Sequence, residues 1–565
     1  MFNNSIRRVI LLAVGSALAA PASAQKKNNL TTHYGDIAIE KAQGIRVKGN
    51  LASSRITGAE TLVTVPYSRT HSVLVLHADD IVTKSEGGDQ FAHATLTGNV
   101  RYTMTQSISK GVTRIVTGTA ERAVFNHESE RIEMDGSVRI SLTDPERLAL
   151  PGTIRAGHAL VEMDKTPYLY TLSGAPASND IAFTPKDDAP KQNEKPKANG
   201  IGAVHVSGYD KGSFQIGQKA HFEGDDTTVE INGKDQLSRA EIRSEAFDAN
   251  FTAARSALKT AKAEGAARFH ITRPAKIKDA KQNDEVTGRS DAIEYDAAAA
   301  KFTFAGKVDA DINAPGSLQA PAKIKVDRLI AHIAAPYSYE MKSAARDGLI
   351  RFAPLSPKPK TAKQGESPEK PRFALGVMTI SQFDYGQYAP GNNLRLTTAK
   401  GKILLESNDA ETKTETRFLA RDVTADIAPD NHVTMAKATG EVEFRVQQRT
   451  PETKGAKTVE ITKIIEGTAP ELDFAVDNAT RSLTMPGPFH ASVADPAHLV
   501  QPGILTGEAG DKLIATLTGD APDYDLESPN GTAQLQFTPL PPAQKPGAKS
   551  APAGKAKPAK KLSRK

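Results

Sequence analysis

The sequence contains neither cysteine nor tryptophan, and aromatic residues make up only 5% of it. Without cysteine there is no disulfide framework and no thiolate metal site, so stability has to come from packing. A lipoprotein anchor, which needs a cysteine after the leader, is excluded as well. Long hydrophobic runs are also missing. The only sustained one, Val9 to Ala20, is shorter than the roughly 20 apolar residues a membrane helix needs. Arg7 and Arg8 precede it and Ala22-Ser23-Ala24 follows as a small-x-small cleavage site, the layout of a secretory signal peptide covering 1–24. The expectation is an exported, periplasmic chain cleaved near Ala24.

Net charge is +6, but the basic excess is local. Residues 539–565 carry Lys545, Lys549, Lys555, Lys557, Lys560, Lys561, Arg564 and Lys565 and no acid, so the body between leader and tail is mildly acidic. A basic folded face is what nucleic-acid binding would need, so no nucleic-acid partner is expected. The Pro/Ala/Lys-rich tail cannot bury a core and is expected to be disordered; its basic charge suits contact with anionic envelope components. Segments 184–200 and 354–372 share that composition and are expected to be disordered linkers. They divide the mature chain into three blocks of domain size, 25–183, 201–353 and 373–538.

The blocks are repeats. Ala94-Thr95-Leu96-Thr97-Gly98 is followed by Gly118, Gly136 and Leu148-Ala149-Leu150-Pro151. Ala261 to Gly265 is followed by Gly288, Gly306 and Leu318-Gln319-Ala320-Pro321; Ala436 to Gly440 by Gly467, Gly487 and Leu499-Val500-Gln501-Pro502. The interval between the second and third glycines is 18, 18 and 20 residues, and the proline lies 33, 33 and 35 residues after the second. Asp144-Pro145 through Gly152 recurs as Asp495-Pro496 through Gly503. A fixed period of this kind marks a tandem architecture.

Within each block apolar residues alternate with polar ones, the period of a half-buried strand. Val100, Tyr102 and Met104 form one inward set, Val138 and Ile140 another, then Phe302, Phe304 and Val308, then Val442 and Phe444. Ser244 to Glu264 is rich in helix formers, yet its position in the repeat predicts strand, turn and strand, and intrinsic propensity is the weaker guide. The fold class expected is all-β: three tandem antiparallel domains, each a sandwich, jelly roll or folded-over sheet.

Gly288-Arg289-Ser290-Asp291-Ala292-Ile293-Glu294-Tyr295-Asp296 through Phe302-Thr303-Phe304-Ala305-Gly306-Lys307-Val308 resembles the repeated signature of OstA-like lipopolysaccharide-transport proteins. Gly118 to Asn126 followed by Met134-Asp135-Gly136-Ser137-Val138 fits it too, and Thr95 to Val100 matches its closing half. The resemblance implies a V-shaped antiparallel sheet whose apolar interior holds acyl chains, with lipopolysaccharide or another envelope lipid as ligand. It also implies other transport components as partners, joined by edge-strand addition. The ten inward residues above would then line the lipid path.

No enzyme motif is present. Gly-rich phosphate loops, His-Glu-x-x-His and Gly-x-Ser-x-Gly are all absent. His77-Ala78-Asp79-Asp80 with His93, and His127-Glu128, read as surface polar groups, because the other blocks lack the equivalent histidines. Asp225-Asp226 reads as a solvated turn pair. No metal, cofactor or catalytic residue is expected. The competing expectation is a structural or adhesive envelope protein whose repeats merely provide length.

Overall fold

Alternating sequences of this kind form strands because every second side chain can be buried on one face. The computed structural model describes residues 30–541 apart from 35, 49–51, 69, 87–88, 187–200, 236, 253–257, 275–282, 316–317, 333–337, 355–375, 390–391, 411–412, 428–432, 455–456, 478–479 and 518–521. The proposed signal peptide, nearly all of both linkers and the tail beyond Pro541 lie outside the described residues. Among the described residues there are 37 strands, all paired antiparallel where a register is given, one three-residue turn of 3₁₀ helix at Pro176–Ser178, and no α-helix. The chain divides into two compact units, one of Met1–Pro315 with Arg328–Ala335, the other of Gly316–Asp327 with Pro336–Lys565.

In the first unit the long strands each serve two sheets. In the strand Asp89–Ser109, His93 to Thr97 pair with Lys84 to Asp80, whereas Arg101 to Gln106 pair with His77 to Ser72. The change falls at Gly98 and Asn99, two consecutive residues in the left-handed region (φ 74 and 48), where the register shifts. Left-handed pairs of this kind are what tight hairpin turns use to reverse a chain, and inside a strand they fold it over. The same device recurs at Gly136-Ser137, Gly265-Ala266 and Gly306-Lys307. Glycine is required at the first position: a Cβ on Gly98 would come within 2.6 Å of the Asp79 carboxylate, in the bend just before the strand Asp80–Glu86.

The two sheets face one another. Phe183 on one packs at 5.3 Å from Phe214 on the other, and Phe269 at 4.7 Å from Phe304. Segment Ser244 to Glu264 is strand on both sides of residues 253–257, with Arg239–Phe251 paired to Leu258–Arg273, as its place in the repeat requires. Asp225 and Asp226 lie within the strand Lys219–Gly233, beside its bend, and not in a turn. The blocks join by strand pairing, Asp180–Pro185 with Ile201–Ser207 in one sheet and Leu169–Ser173 with Lys211–Gln215 in the other.

The second unit repeats this plan. Val433–Lys454 turns at Gly440-Glu441 (φ 84 and 55), pairing with Asp422–Ile427 before the corner and Thr414–Ala420 after it. Leu349–Pro354 pairs with Val377–Ser381, and Ser338–Lys342 with Tyr385–Ala389. The third block departs at one corner: where the others have a glycine-led fold within a continuous strand, it has a break around a cis Gly487-Pro488 peptide between Thr480–Pro486 and Phe489–Ala494.

The Leu-x-x-Pro element has one structural meaning throughout. Leu148 opposes Pro185, Leu318 opposes Pro354 and Leu499 opposes Pro539, each with a register shift just beyond. The last strand of each block therefore runs to these prolines, one or two residues past the boundaries read from composition.

Candidate functional site

All ten inward residues named from the alternation lie between the sheets, and nine are buried: Val100, Tyr102, Met104, Val138, Ile140, Phe304, Val308, Val442 and Phe444. Phe302 is half-buried, its ring 4.8 Å from Tyr295 and 6.4 Å from Phe304. Two of the large rings have room because a glycine stands directly across from them: Tyr102 opposes Gly118, and Phe444 opposes Gly467.

In the first block this space is filled. Tyr102, Tyr168 and Tyr170 are each 2% exposed, and the cavity beside Tyr168 and Tyr170 holds about 10 Å³, room for one water at most. Sequence reasoning missed the polar cluster that closes it. Arg114 donates from Nε to Asp144 Oδ2 at 2.9 Å and from Nη1 to Gln106 Oε1 at 2.7 Å, and its guanidinium stands 5.7 Å from the Tyr168 ring centroid. Burial pushes the Tyr168 hydroxyl up to about 12, with the Arg114 charge acting against it. Burial also raises Tyr67, Tyr102 and Tyr170 well above the ordinary range, so none of these hydroxyls ionises at physiological pH.

The interior loosens along the chain. Around the buried cluster of Val442, Phe444, Leu472, Met485, Phe489, Leu505 and Leu513, the inward residues Phe418, Ile465, Leu483, Tyr524 and Leu526 are only half-buried. The final strand, Gln534–Pro539, presents Leu535 at 55% exposure and Phe537 at 38%.

The outer face of block two carries a cleft of about 400 Å³. Two cross-strand rows form it, Asp248, Lys262, Glu294 and Thr303 in one and Asn250, Thr260, Asp296 and Lys301 in the other, with Arg328 at the side. His221 extends the first row, 2.7 Å from Asp248 and 3.0 Å from Glu223. Partial burial draws the His221 pKa down, but hydrogen bonds and charge from the two carboxylates outweigh it and the net shift is upward. The imidazolium's contribution to stability is therefore complete below the unfolded-chain value and is lost as pH rises through the raised folded value. An NMR titration should find His221 above 6.5, and Asp248→Asn should move it down.

The histidines weighed for metal binding are not brought together. His77 ends the strand Ser72–His77 and sits across from Arg101, whereas His93 sits across from Lys84; Arg101 and His93 lie in opposite halves of the folded strand Asp89–Ser109. His93 pairs with Glu86 at 2.8 Å and His127 with Asp89 at 2.6 Å. Asp80 holds Arg55, and Asp79 accepts from Asn99 at 2.8 Å. Among the described residues no group of three His, Asp or Glu could hold a metal ion, and no helix is long and apolar enough to cross a membrane. Comparison with known proteins finds no family model that matches the chain and no curated protein similar to it.

Proposed function

We propose that the chain is a periplasmic binding and bridging protein that carries lipopolysaccharide, or a similar amphiphilic lipid, towards the outer membrane in the apolar space between its two sheets. The observation that carries this reading is the place of the Gly-x-Val signature. Gly98-Asn99-Val100, Gly136-Ser137-Val138, Gly306-Lys307-Val308 and Gly440-Glu441-Val442 are the corners that fold strands from one sheet into the other, and each valine is buried directly after the corner. The resemblance to OstA-like transport proteins thus rests on the residues that create a folded-over, apolar-lined interior. Acyl chains need only an apolar lining, and the half-buried rings within block two and within block three each offer one with room to yield. Partners are other transport components, met through exposed sheet edges; the basic tail adds contact with anionic envelope components.

The filled interior of block one favours a second reading, a structural spacer with sealed cores. Photo-crosslinking in cells separates the two. Probes at Phe304 and Phe444 should give lipid adducts several times above exposed controls at Arg139 and Glu294. Ile140 should give the weakest inward signal, its surroundings being closed. If Phe304 and Phe444 match the controls in folded protein, the spacer is the better account.

A further inference from the structure

At both internal junctions a donor strand ends one block and an acceptor strand begins the next. The donors share a pattern, Ile181-x-Phe183-x-Pro185 and Ile350-x-Phe352-x-Pro354, and place Ile181 across from Val206 and Ile350 across from Ile380. The acceptors share a device as well. Two residues after Val206 and Ile380 come left-handed residues, Gly208 (φ 74) and Gln382 (φ 64), and then wholly buried rings, Tyr209 and Phe383.

Both halves occur once more at the two ends of the described chain, neither of them joined to another block. Leu535-x-Phe537-x-Pro539 repeats the donor, but among the described residues its strand pairs only with Leu499–Gly507. Its Leu535 and Phe537 are exposed where Ile181 and Phe183 are 0% and 7% exposed. The strand Ile37–Ala42 repeats the acceptor: Ile39 is fully buried, Lys41 is left-handed (φ 62), and Ala42 is fully buried. Here the donor's place is taken by the chain's own strand Leu30–Tyr34, with Thr32 across from Ile39. The second sheet shows the same ends, Pro522–Glu527 paired only with Lys512–Leu517 and Gly44–Val47 only with Ser53–Thr57 among the described residues.

We propose that Leu30–Tyr34 is a built-in cap on an acceptor edge that otherwise takes the terminal strand pair of a second copy of this chain. Such a contact is head-to-tail, so it does not close on itself and would propagate as a filament. Covering the edge with a short strand prevents this while leaving the C-terminal donor free for a different partner. The inference rests on the edge-pairing part of the proposed function and not on the lipid.

The absence of cysteine gives a clean test. At the junctions Ala182 faces His205 and Arg351 faces Thr379; the equivalents at the chain ends are Gln536 and Ala38. A full-length A38C/Q536C variant treated with a short bismaleimide should remain a single-chain band. Deleting residues 30–34 should convert it to a ladder of linked chains, with mass rising with concentration in light scattering. Leu535→Pro, which leaves both cysteines in place and blocks pairing along the donor strand's free edge, should abolish the ladder. If the deletion does not fold, Thr32→Pro, which weakens the cap alone, replaces it. A folded, uncapped chain that stays monomeric overturns the proposal, as does a ladder that survives Leu535→Pro or one formed by the capped chain. Lipid crosslinks from Phe304 and Phe444, scored in the same samples, report on the amphiphile reading separately.

Discussion

Arg114→Ala should destabilise the first unit by about 3–5 kcal/mol, the range seen when one partner of a buried ion pair is removed. The side chains of Arg114 and Asp144 are 4% and 2% exposed, with Nη2 2.8 Å from Oδ2. Truncating Arg114 leaves the Asp144 charge in a closed interior with Arg147, 3.2 Å away, as its one cationic partner among the described residues, and strips Gln106 Oε1 of its donor. The guanidinium's contact with the Tyr168 ring goes at the same time. Removing both charges should cost far less. Arg114→Met with Asp144→Leu replaces the pair with apolar side chains of similar bulk, an exchange that is often close to neutral. Urea unfolding followed by tyrosine fluorescence, unobscured because the chain has no tryptophan, checks both variants. If the double variant is as damaged as the single one, the pair holds geometry as well as charge.

Arg114 shows what alternation could and could not reveal. It lies at the same parity as Val116 and Gly118, so a charged residue on the inward face was visible in Val112-Thr113-Arg114-Ile115-Val116; its partner Asp144, thirty residues on, was not. The all-β class, the antiparallel strands and the burial of Tyr102, Met104, Ile140 and Phe444 were legible because a period of two leaves each residue one choice of face. Even the alanine-rich Ser244 to Glu264 obeyed position over propensity, since the strands on either side dictate its pairing. Whether the space between the sheets is filled was not legible. Alternation is identical for a sealed core and an open groove, and the difference between Tyr102 and Phe302 lies in what stands across from each. The donor and acceptor strands were hidden for a related reason: Ile181-x-Phe183-x-Pro185 and its two echoes acquire meaning only once their partners are known.

The repeated glycines were the clearest sequence signal, and they conceal two unrelated roles that substitution should separate. Gly118 has ordinary backbone angles, but a Cβ there would overlap the ring of Tyr102, which lies across from it and is itself 2% exposed; Ile140 flanks the glycine on its other side. Gly118→Ala should therefore act as overpacking of a closed core, costing about 3 kcal/mol or more, the upper end for one added methyl because neither neighbour can yield. Tyr102→Leu, which shortens the offending side chain, should recover much of that loss, so the double variant should be markedly more stable than the sum of the singles. Gly136, at φ 78, is different: a Cβ would meet Glu121, but the left-handed backbone itself disfavours any side chain by about 1–2 kcal/mol. Gly136→Ala should thus remain damaging when Glu121 is cut to alanine, because clearing the neighbour leaves the backbone strain in place. Unfolding midpoints for the two cycles decide the matter. Strong coupling at Gly118 with weak coupling at Gly136 would assign one glycine to ring clearance and the other to the fold of the strand. The same division would then extend to Gly288 beneath Phe269 and Gly467 beneath Phe444.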